Sequence, residues 1–204
     1  MGFYARVIVP RLIQRVMREE MLEPLRQRVV RGAYGRVLEI GIGAGPNLPL
    51  YGREVMALHA VDPSLYLLSQ ARRTAAWLPF PVTLLEQSAE HLPLPDASID
   101  TAVVSWSLCS IPDPVAALRE VHRVLVPGGQ LRFVEHGLSP SPPLARWQRR
   151  LTPVWCRLAG GCHLDRRTDR LLERAGFTIE QMETGHLLPG PRLLTYHYLG
   201  VARR

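Results

Sequence analysis

An apolar, strand-like segment that runs directly into three alternating glycines constrains the fold of this chain more than any other feature. It reads Val37-Leu-Glu-Ile-Gly41-Ile-Gly43-Ala-Gly45-Pro-Asn47. Because glycine permits positive φ and close approach of the backbone, such a loop at the end of a parallel strand can lie against a bound molecule. A second apolar run, residues 55–61, ends at Asp62, where a doubly wound fold places the acid that holds a ribose hydroxyl. The sequence therefore predicts a nucleotide-type ligand here.

The spacing of the glycines distinguishes between the folds that use such loops. A dinucleotide-binding loop has its last two glycines three residues apart, and a P-loop needs a lysine after its last glycine. Here the glycines are two residues apart, and the chain contains no lysine. Glu39 would repel a pyrophosphate but tolerate a cationic sulfonium and ammonium, so the loop favours S-adenosylmethionine. The glycine loop and Asp62 also fit a purely structural alternative, in which the loop is a tight turn and the aspartate caps a helix. Because both features occur together, this alternative is less favoured than ligand binding.

Length and composition bound the organisation of the chain. Its 204 residues suit one α/β domain, and no apolar window approaches the roughly 18 residues that span a bilayer. We therefore expect a single cytoplasmic domain over residues 1–204, without a signal peptide. The three cysteines, Cys109, Cys156 and Cys162, are irregularly spaced, so we expect neither a disulfide framework nor a metal site.

The net charge of +7 is unevenly distributed. Residues 1–36 carry eight arginines against three acids and residues 138–170 seven against two, whereas residues 37–137 carry six against ten. An acidic core suits a cationic cofactor, while the basic flanks suit an anionic substrate, a membrane surface or plain solvation. All 25 basic residues are arginine and Asn47 is the only asparagine, which indicates GC-rich bacterial coding. Asn47 either contacts the ligand or caps a short helix.

The chain alternates between strand and helix patterns, which is typical of a Rossmann-like, doubly wound α/β fold. Strands are predicted at residues 36–40, 55–61, 82–85, 99–105, 130–135, 177–182 and 194–202. Helices are predicted from Pro10 to Glu23, after Pro24, and over residues 64–76, 113–125 and 165–175. We divide the domain into a helical segment (1–35), a cofactor-binding core (36–137), a cap insertion (138–168), and a last helix with an antiparallel hairpin (169–204).

Several segments within residues 36–135 carry a family signature. They are Val37–Gly45, Ala60-Val-Asp62-Pro-Ser64, Gln87-Ser-Ala-Glu90-His-Leu-Pro-Leu-Pro-Asp96, Ile99-Asp100, and Leu118-Arg-Glu-Val-His-Arg-Val-Leu-Val-Pro-Gly128-Gly129. They resemble the type 11 group of class I S-adenosylmethionine-dependent methyltransferases. Further segments are Leu108-Cys109-Ser110, Phe133-Val-Glu135-His136, Trp155, and Gly161-Cys162-His-Leu164-Asp-Arg166-Arg-Thr168. These are similar to the methyltransferase-like family that includes animal thiol S-methyltransferases, and they extend the resemblance through the cap.

The resemblance implies a seven-stranded sheet whose last strand inserts antiparallel, with S-adenosyl-L-methionine as methyl donor and S-adenosyl-L-homocysteine as product. It assigns the methionine part to Glu39, Gly41, Gly43 and Gly45, the ribose to Asp62, the adenine to Ser88, Ala89 and Glu90, and the methyl-transfer side to Ser105, Trp106 and Leu108. Asn47 and Pro63 complete the expected cofactor set. Many relatives have aspartate at the position of Ser88, so the adenine contact there is weaker or comes from Glu90.

The chemistry of methyl transfer sets the remaining predictions. Displacement at a sulfonium needs mainly an aligned acceptor and exclusion of water. His136 is the candidate general base, unless it is a structural histidine of the cap. Trp147 and Trp155 are predicted to wall an apolar acceptor site. Cys109 and Cys162 either relay a thiol or are small buried apolar residues.

Three functions stay open at this point. The first is a methyltransferase that acts on a small, fairly apolar acceptor, with a thiol slightly favoured over an amine, a hydroxyl or a ring carbon. The second is a peripheral lipid or quinone methyltransferase that contacts the membrane through its basic N-terminal helix, although the chain lacks the longer hydrophobic anchor of the animal members. The non-enzymatic alternative, a nucleic-acid-binding module, is supported by charge alone.

Overall fold

The computed structural model describes residues 20–204. The helix predicted from Pro10 therefore lies, apart from its last residues, outside the described part of the chain. The strands are β1 (Gly35–Ile40), β2 (Val55–Val61), β3 (Val82–Leu85), β4 (Ile99–Ser105), β5 (Leu125–His136), β6 (Thr178–His186) and β7 (Tyr196–Arg203). The α-helices are α1 (Glu23–Val30), α2 (Leu65–Ala75), α3 (Pro114–Val124), α4 (Pro142–Leu158) and α5 (Thr168–Arg174). Short 3₁₀ turns lie at Glu20–Leu22 and Leu48–Leu50.

All seven strands form one sheet in the order β3-β2-β1-β4-β5-β7-β6. Strands β1 to β5 are parallel, and β7 runs antiparallel between β5 and β6. The predicted mostly parallel sheet with an antiparallel C-terminal hairpin is therefore confirmed. The strand order reverses between β1 and β4, and ligands of such sheets bind beyond the carboxyl ends of the strands at this point.

The central strands are buried on both faces, which explains their continuous apolar sequence. In β1, Leu38 and Ile40 pack into the core layer that contains Phe133, while Val37 packs into the opposite layer under α1. Glu39 points to the same face as Val37 because side chains alternate along a strand. A carboxylate is thus carried into the interior at the end of the first strand.

Two of the helices begin directly after a residue whose side chain caps them. The Asp113 carboxylate accepts hydrogen bonds from the backbone N–H groups of Val115 (3.1 Å) and Ala116 (3.0 Å), and Pro114 occupies the first turn, where no N–H is needed. The Ser64 hydroxyl accepts a hydrogen bond from the Leu67 N–H and starts α2. These caps fix the two helices that follow β2 and β4.

Three predicted boundaries are wrong. Strand β5 begins at Leu125 rather than residue 130, because Leu125 already pairs with Ile99 and the glycines after Pro127 form an irregularity inside the strand. Helix α5 begins at Thr168, and β6 extends to His186. The segment predicted to lack clear periodicity contains the 17-residue helix α4.

Candidate active site

The glycine loop follows β1 at the reversal of strand order. Gly41, Gly43 and Gly45 all have positive φ, at +69°, +57° and +80°. A Cβ at Gly41 would lie 2.1 Å from the Ser107 Oγ, and one at Gly45 would lie 2.6 Å from a methyl carbon of Leu48. A Cβ at Gly43 would meet no protein atom within 4 Å. Two glycines therefore let the loop pack against the protein, and the third faces open space that a ligand can fill.

Asp62 joins this loop to the end of β2. Its Oδ2 accepts a hydrogen bond from the Gly43 N–H (3.0 Å), and its Oδ1 accepts one from the Ser64 N–H (2.8 Å). Burial raises the pKa of Asp62, and the two backbone N–H groups partly offset this effect. Each carboxylate oxygen has a second lone pair, so Asp62 can hold the loop and a ribose hydroxyl together. Pro63 is exposed beside it.

Glu39 and Asn47 form a buried network behind the loop. The Asn47 amide donates to Glu39 Oε1 (2.8 Å) and to Ser105 Oγ (3.2 Å), and the Tyr51 hydroxyl donates to Glu39 Oε2 (2.9 Å). The Arg26 guanidinium of α1 donates to Asn47 Oδ1 (2.9 Å). Asn47 lies at the start of the turn Leu48–Leu50, but its side chain makes no capping hydrogen bond. The capping alternative for Asn47 is therefore wrong. Asn47 braces the glycine loop against β1, β4 and α1.

Burial makes Glu39 sensitive to charge. Only 2% of the residue is exposed, and burial raises the pKa of Glu39 to about 7 despite the hydrogen bonds from Tyr51 and Asn47 and the charge of Arg26. Burial lowers the pKa of Arg26 to about 10. A cation bound nearby would stabilise the ionised carboxylate and lower its pKa.

The titration of Glu39 predicts pH-dependent cofactor binding. A raised folded-state pKa means that the ionised carboxylate destabilises the fold as pH rises through about 7. A cationic cofactor bound nearby would offset the cost of burying the ionised Glu39 carboxylate. The affinity for the cofactor is therefore expected to increase with pH, by at most about tenfold per pH unit below the pKa of Glu39. Glu39→Gln should lose this component. Calorimetric titrations of both proteins over roughly pH 6 to 8 measure the cofactor affinity. The ionisation of the cofactor itself affects both proteins equally, so the difference between their pH profiles reports Glu39. Identical pH profiles would contradict the assignment of this pH dependence to Glu39.

The predicted adenine residues follow β3. The Ser88 hydroxyl donates to Glu90 Oε2 (2.5 Å), and Glu90 Oε1 accepts a hydrogen bond from the Asp113 N–H (2.7 Å) at the start of α3. Ala89 is buried in the core. The carboxylate predicted to contact adenine therefore also ties this loop to a neighbouring helix.

Trp106 has an unusual backbone conformation at the end of β4. Its φ is +49°, which bulky residues rarely adopt and which is typical of functional sites. Its N–H donates to the Val134 carbonyl (2.8 Å), its indole lies edge-on to His197, and the Arg26 guanidinium lies 5.0 Å from the ring centroid. The tertiary contacts thus hold an aromatic side chain at the carboxyl edge of the sheet.

Glu135 in β5 is a functional candidate that the sequence reasoning missed as an individual residue. Its Oε1 accepts hydrogen bonds from the N–H groups of Ser107 (2.7 Å) and Leu108 (2.9 Å), so it fixes the loop after β4. Within residues 20–204 its Oε2 lacks a hydrogen-bond partner, and burial raises the pKa of Glu135 to about 7. The available signal was a single carboxylate directly after the apolar pair Phe133-Val134 of β5.

His136, Cys109 and Cys162 lie together beside this loop. The His136 Nε2 is 2.9 Å from the Cys162 Sγ, and one side-chain nitrogen or sulfur from each of the three residues lies within 4.8 Å of the others. The Trp155 indole N–H donates to the same Cys162 sulfur (3.3 Å). The two cysteines are 53 positions apart in sequence, so their spacing gave no indication of this cluster.

The charges of the cluster affect each other. Burial lowers the pKa of His136, but the hydrogen bond and charge of Cys162 and the charge of Glu135 more than offset it and raise this pKa. The hydrogen bond with Cys109, together with burial, raises the pKa of Cys162 far above its ordinary value. The thiol is therefore neutral near pH 7. A general base must offer a free nitrogen to its substrate, whereas the Nε2 of His136 contacts a protein thiol.

The two tryptophans predicted to bind the acceptor occupy different environments. Trp155 lies at the cluster, while Trp147 is 55% exposed, with the Arg150 guanidinium 5.7 Å from its ring centroid. Eight residues of α-helix separate their Cα atoms by about 12 Å along the axis. The structure therefore brings Trp155, but not Trp147, to the cluster of His136, Cys109 and Cys162.

A doubly wound sheet with this glycine loop and an acid at the end of β2 defines the class of protein. The open space over Gly43 and the buried carboxylate of Glu39 fit a cationic nucleoside cofactor. The chain carries a domain of the S-adenosylmethionine-dependent methyltransferase class, whose members use S-adenosylmethionine as methyl donor.

Comparison with known proteins identifies the family. Residues 38–133 match the family described as "Methyltransferase domain", type 11, and the chain belongs to this family. The thiol S-methyltransferase TMT1B of Rattus norvegicus is 35% identical over 150 residues, which are 72% of this chain and 62% of that protein. The chain thus matches less than two thirds of that relative's length.

Two further similarities bear on function and fold. A phosphatidylethanolamine N-methyltransferase of Cereibacter sphaeroides is 34% identical over 158 residues, 76% of this chain and 75% of that protein. The crystal structure of an S-adenosylmethionine-dependent methyltransferase from Mesorhizobium loti superposes with a TM-score of 0.68 at 23% identity, over 90% of this chain and 98% of that one. The second similarity confirms the fold. Among the described residues, no helix is long and apolar enough to cross a membrane.

Proposed function

We propose that this methyltransferase transfers the methyl group of S-adenosylmethionine to the thiol of a small, fairly apolar molecule. The similarity to the rat thiol S-methyltransferase carries the choice of acceptor. The surroundings of the predicted methyl-transfer side support it, since Trp106 and Trp155 are partly exposed aromatic side chains. Such surface favours an apolar acceptor over a flexible charged polymer.

The residues of the site divide the work of the reaction. The cofactor supplies an electrophilic methyl group on a sulfonium. Asp62 holds the ribose of the cofactor and Gly43 its methionine part, while Glu39 provides negative charge behind the loop. Trp106 borders the path along which the acceptor sulfur approaches in line, and the buried Leu108 packs into the core behind it. The protein gains rate mainly by this alignment and by excluding water.

A screen of acceptors tests the proposal. Purified enzyme is incubated with S-adenosylmethionine and matched pairs of molecules that differ only in a thiol, an amine or a phenol. We expect S-methyl products, identified by mass spectrometry, and S-adenosylhomocysteine release that requires the thiol. Turnover of the amine of each pair, with the thiol inert, would contradict a thiol acceptor.

The outer face of α4 favours a second candidate, methylation of a lipid amine. Four apolar side chains at helical spacing are exposed there, namely Trp147, Leu151, Val154 and Leu158. The helix contains four arginines and no acid, at positions 146, 149, 150 and 157. An apolar stripe flanked by arginines suits an anionic membrane surface, and the Cereibacter relative is named for a lipid substrate.

Vesicle flotation separates the two candidates. A lipid methyltransferase is expected to float with vesicles that contain anionic lipid and to lose this property in the double variant Leu151→Ser, Val154→Ser. It should also methylate phosphatidylethanolamine in those vesicles. Absence of flotation together with turnover of dissolved thiols would leave the thiol proposal alone.

A further inference from the structure

Three metal-binding side chains converge beside the methyl-transfer side. Cys109 lies after β4, His136 ends β5, and Cys162 lies between α4 and α5. Within residues 20–204, they form a group of sulfur and nitrogen donors that all lie within 4.8 Å of one another. Convergence from three separate elements is how tertiary structure builds a metal site.

The donor set has a defined chemical preference. Thiolate and imidazole suit Zn²⁺, and two cysteines with one histidine match catalytic zinc sites, which keep a fourth position open. A tetrahedral zinc with ordinary bond lengths places its donor atoms roughly 3.5–3.8 Å apart. The 2.9 Å contact between His136 Nε2 and Cys162 Sγ would open by less than about 1 Å to admit the ion.

Contacts that do not involve the donor atoms hold the three segments in place. The Leu138 N–H, just after His136, donates to the Arg166 carbonyl (2.8 Å). The His163 N–H donates to the Cys109 carbonyl (2.8 Å), which joins the two cysteine-bearing segments. The Arg166 guanidinium donates to the carbonyls of Leu108 and Ile111 on either side of Cys109. The cluster therefore does not depend on the contact between histidine and thiol.

A neighbouring hydrogen-bond donor also fits a bound metal. The Trp155 indole N–H, which can only donate, points at the Cys162 sulfur. Such a donor stabilises a metal-bound thiolate, and outer hydrogen bonds of this kind orient and tune metal ligands. The third cysteine, Cys156, instead donates to the Cys162 carbonyl (3.0 Å).

We propose that Cys109, His136 and Cys162 bind one Zn²⁺ ion, with the fourth coordination position left to an exogenous ligand. This replaces the expectation that the chain binds no metal, which rested on the sequence spacing of the cysteines. His136 then contributes its Nε2 as a ligand rather than as a base.

The open position suggests how the acceptor is activated, a step that rests on the proposed function. An acceptor thiol that displaces water from zinc releases its proton to solvent and is held as a thiolate. Its sulfur then forms a bond to the methyl carbon as the carbon–sulfonium bond breaks, and S-adenosylhomocysteine leaves with the electron pair. Charge and atoms balance without any further reactant.

Cobalt substitution tests the metal site without any assay of activity. The protein is stripped with a chelator under reducing conditions and titrated with Co²⁺. We expect one ion per chain, with the near-ultraviolet charge-transfer absorption of cobalt–thiolate bonds and the intense visible bands of tetrahedral coordination. Cys109→Ser and Cys162→Ser should weaken the thiolate absorption, whereas Cys156→Ser should retain it. No thiolate absorption, or full absorption in both cluster variants, would overturn the proposal.

Two further measurements keep the test decisive. If Cys109→Ser or Cys162→Ser does not fold, an alkylation experiment on the wild-type protein takes the place of the variant. Zn²⁺ is then expected to protect the partly exposed Cys162 from alkylation but not Cys156. Mass spectrometry measures this, and unchanged alkylation of Cys162 would overturn the site. Addition of an acceptor thiol should shift the cobalt spectrum. A metal site whose spectrum ignores thiols supports the site and rejects acceptor activation at it, while thiol turnover without any metal site leaves the proposed function intact.

Discussion

Gly43→Ala is expected to weaken S-adenosylmethionine binding by about 100-fold or more while the protein still folds. The new methyl group meets no protein atom within 4 Å, so it enters the space in which the loop faces the cofactor. An alanine at a φ of +57° costs only about 1–2 kcal/mol of folding free energy. Calorimetric titration measures the binding, and a thermal melt verifies the fold.

Gly41→Ala is the contrasting substitution in the same loop, because its main effect is expected on stability. There the added Cβ would lie 2.1 Å from the Ser107 Oγ and 2.7 Å from its Cβ, so the loop or β4 must shift. We expect this variant to lose several kcal/mol of stability, as overpacked and strained sites do. Cofactor affinity close to wild type in Gly43→Ala would show that the cofactor does not lie over this glycine.

Asp62→Ala has the second-largest expected effect. Removing the carboxylate deletes the proposed contact with the ribose hydroxyls and leaves the Gly43 N–H, a part of the loop, without its partner. A hydrogen bond to a charged group contributes about 1.5–3 kcal/mol, which corresponds to roughly a 10- to 150-fold loss of affinity. Calorimetric titration with S-adenosylmethionine checks this value.

Glu54→Ala provides the control for the charge that Asp62→Ala removes. Glu54 is exposed just before β2 begins, at the opposite edge of the sheet from the loop. The Glu54→Ala variant should bind the cofactor with the affinity of the wild type. If Asp62→Ala also retained wild-type affinity, the ribose assignment would be wrong.

The sequence predicted those parts of the fold that are encoded locally. Central strands such as β4 are nearly continuous apolar runs, and Ser64 and Asp113 are capping residues directly before their helices. Helix α4 was missed because its buried face, Ala145, Gln148 and Thr152, is largely polar. Gln148 is satisfied by the carbonyls of Gly137 and Leu193 and by the Ser139 N–H. Such partners are distant in sequence, so periodicity could not show them.

The same distinction applies to the site. The positions of the glycine loop and of Asp62 could be predicted because short motifs mark the ends of β1 and β2. The role of Asn47 could not, since it depends on Arg26, Glu39 and Ser105 meeting in the interior. The cluster around His136 is likewise created by folding alone, from three segments that no local pattern connects.

Amide hydrogen exchange with and without S-adenosylhomocysteine tests most directly whether the cofactor lies at the carboxyl edge of the sheet. The proposed cofactor site predicts slower exchange in residues 41–47, 62–65 and 88–90, the loops that follow β1, β2 and β3. Exchange around residues 52–55, at the opposite edge, should not change. Protection confined to that opposite edge, or the absence of protection in the glycine loop at saturating ligand, would contradict this account.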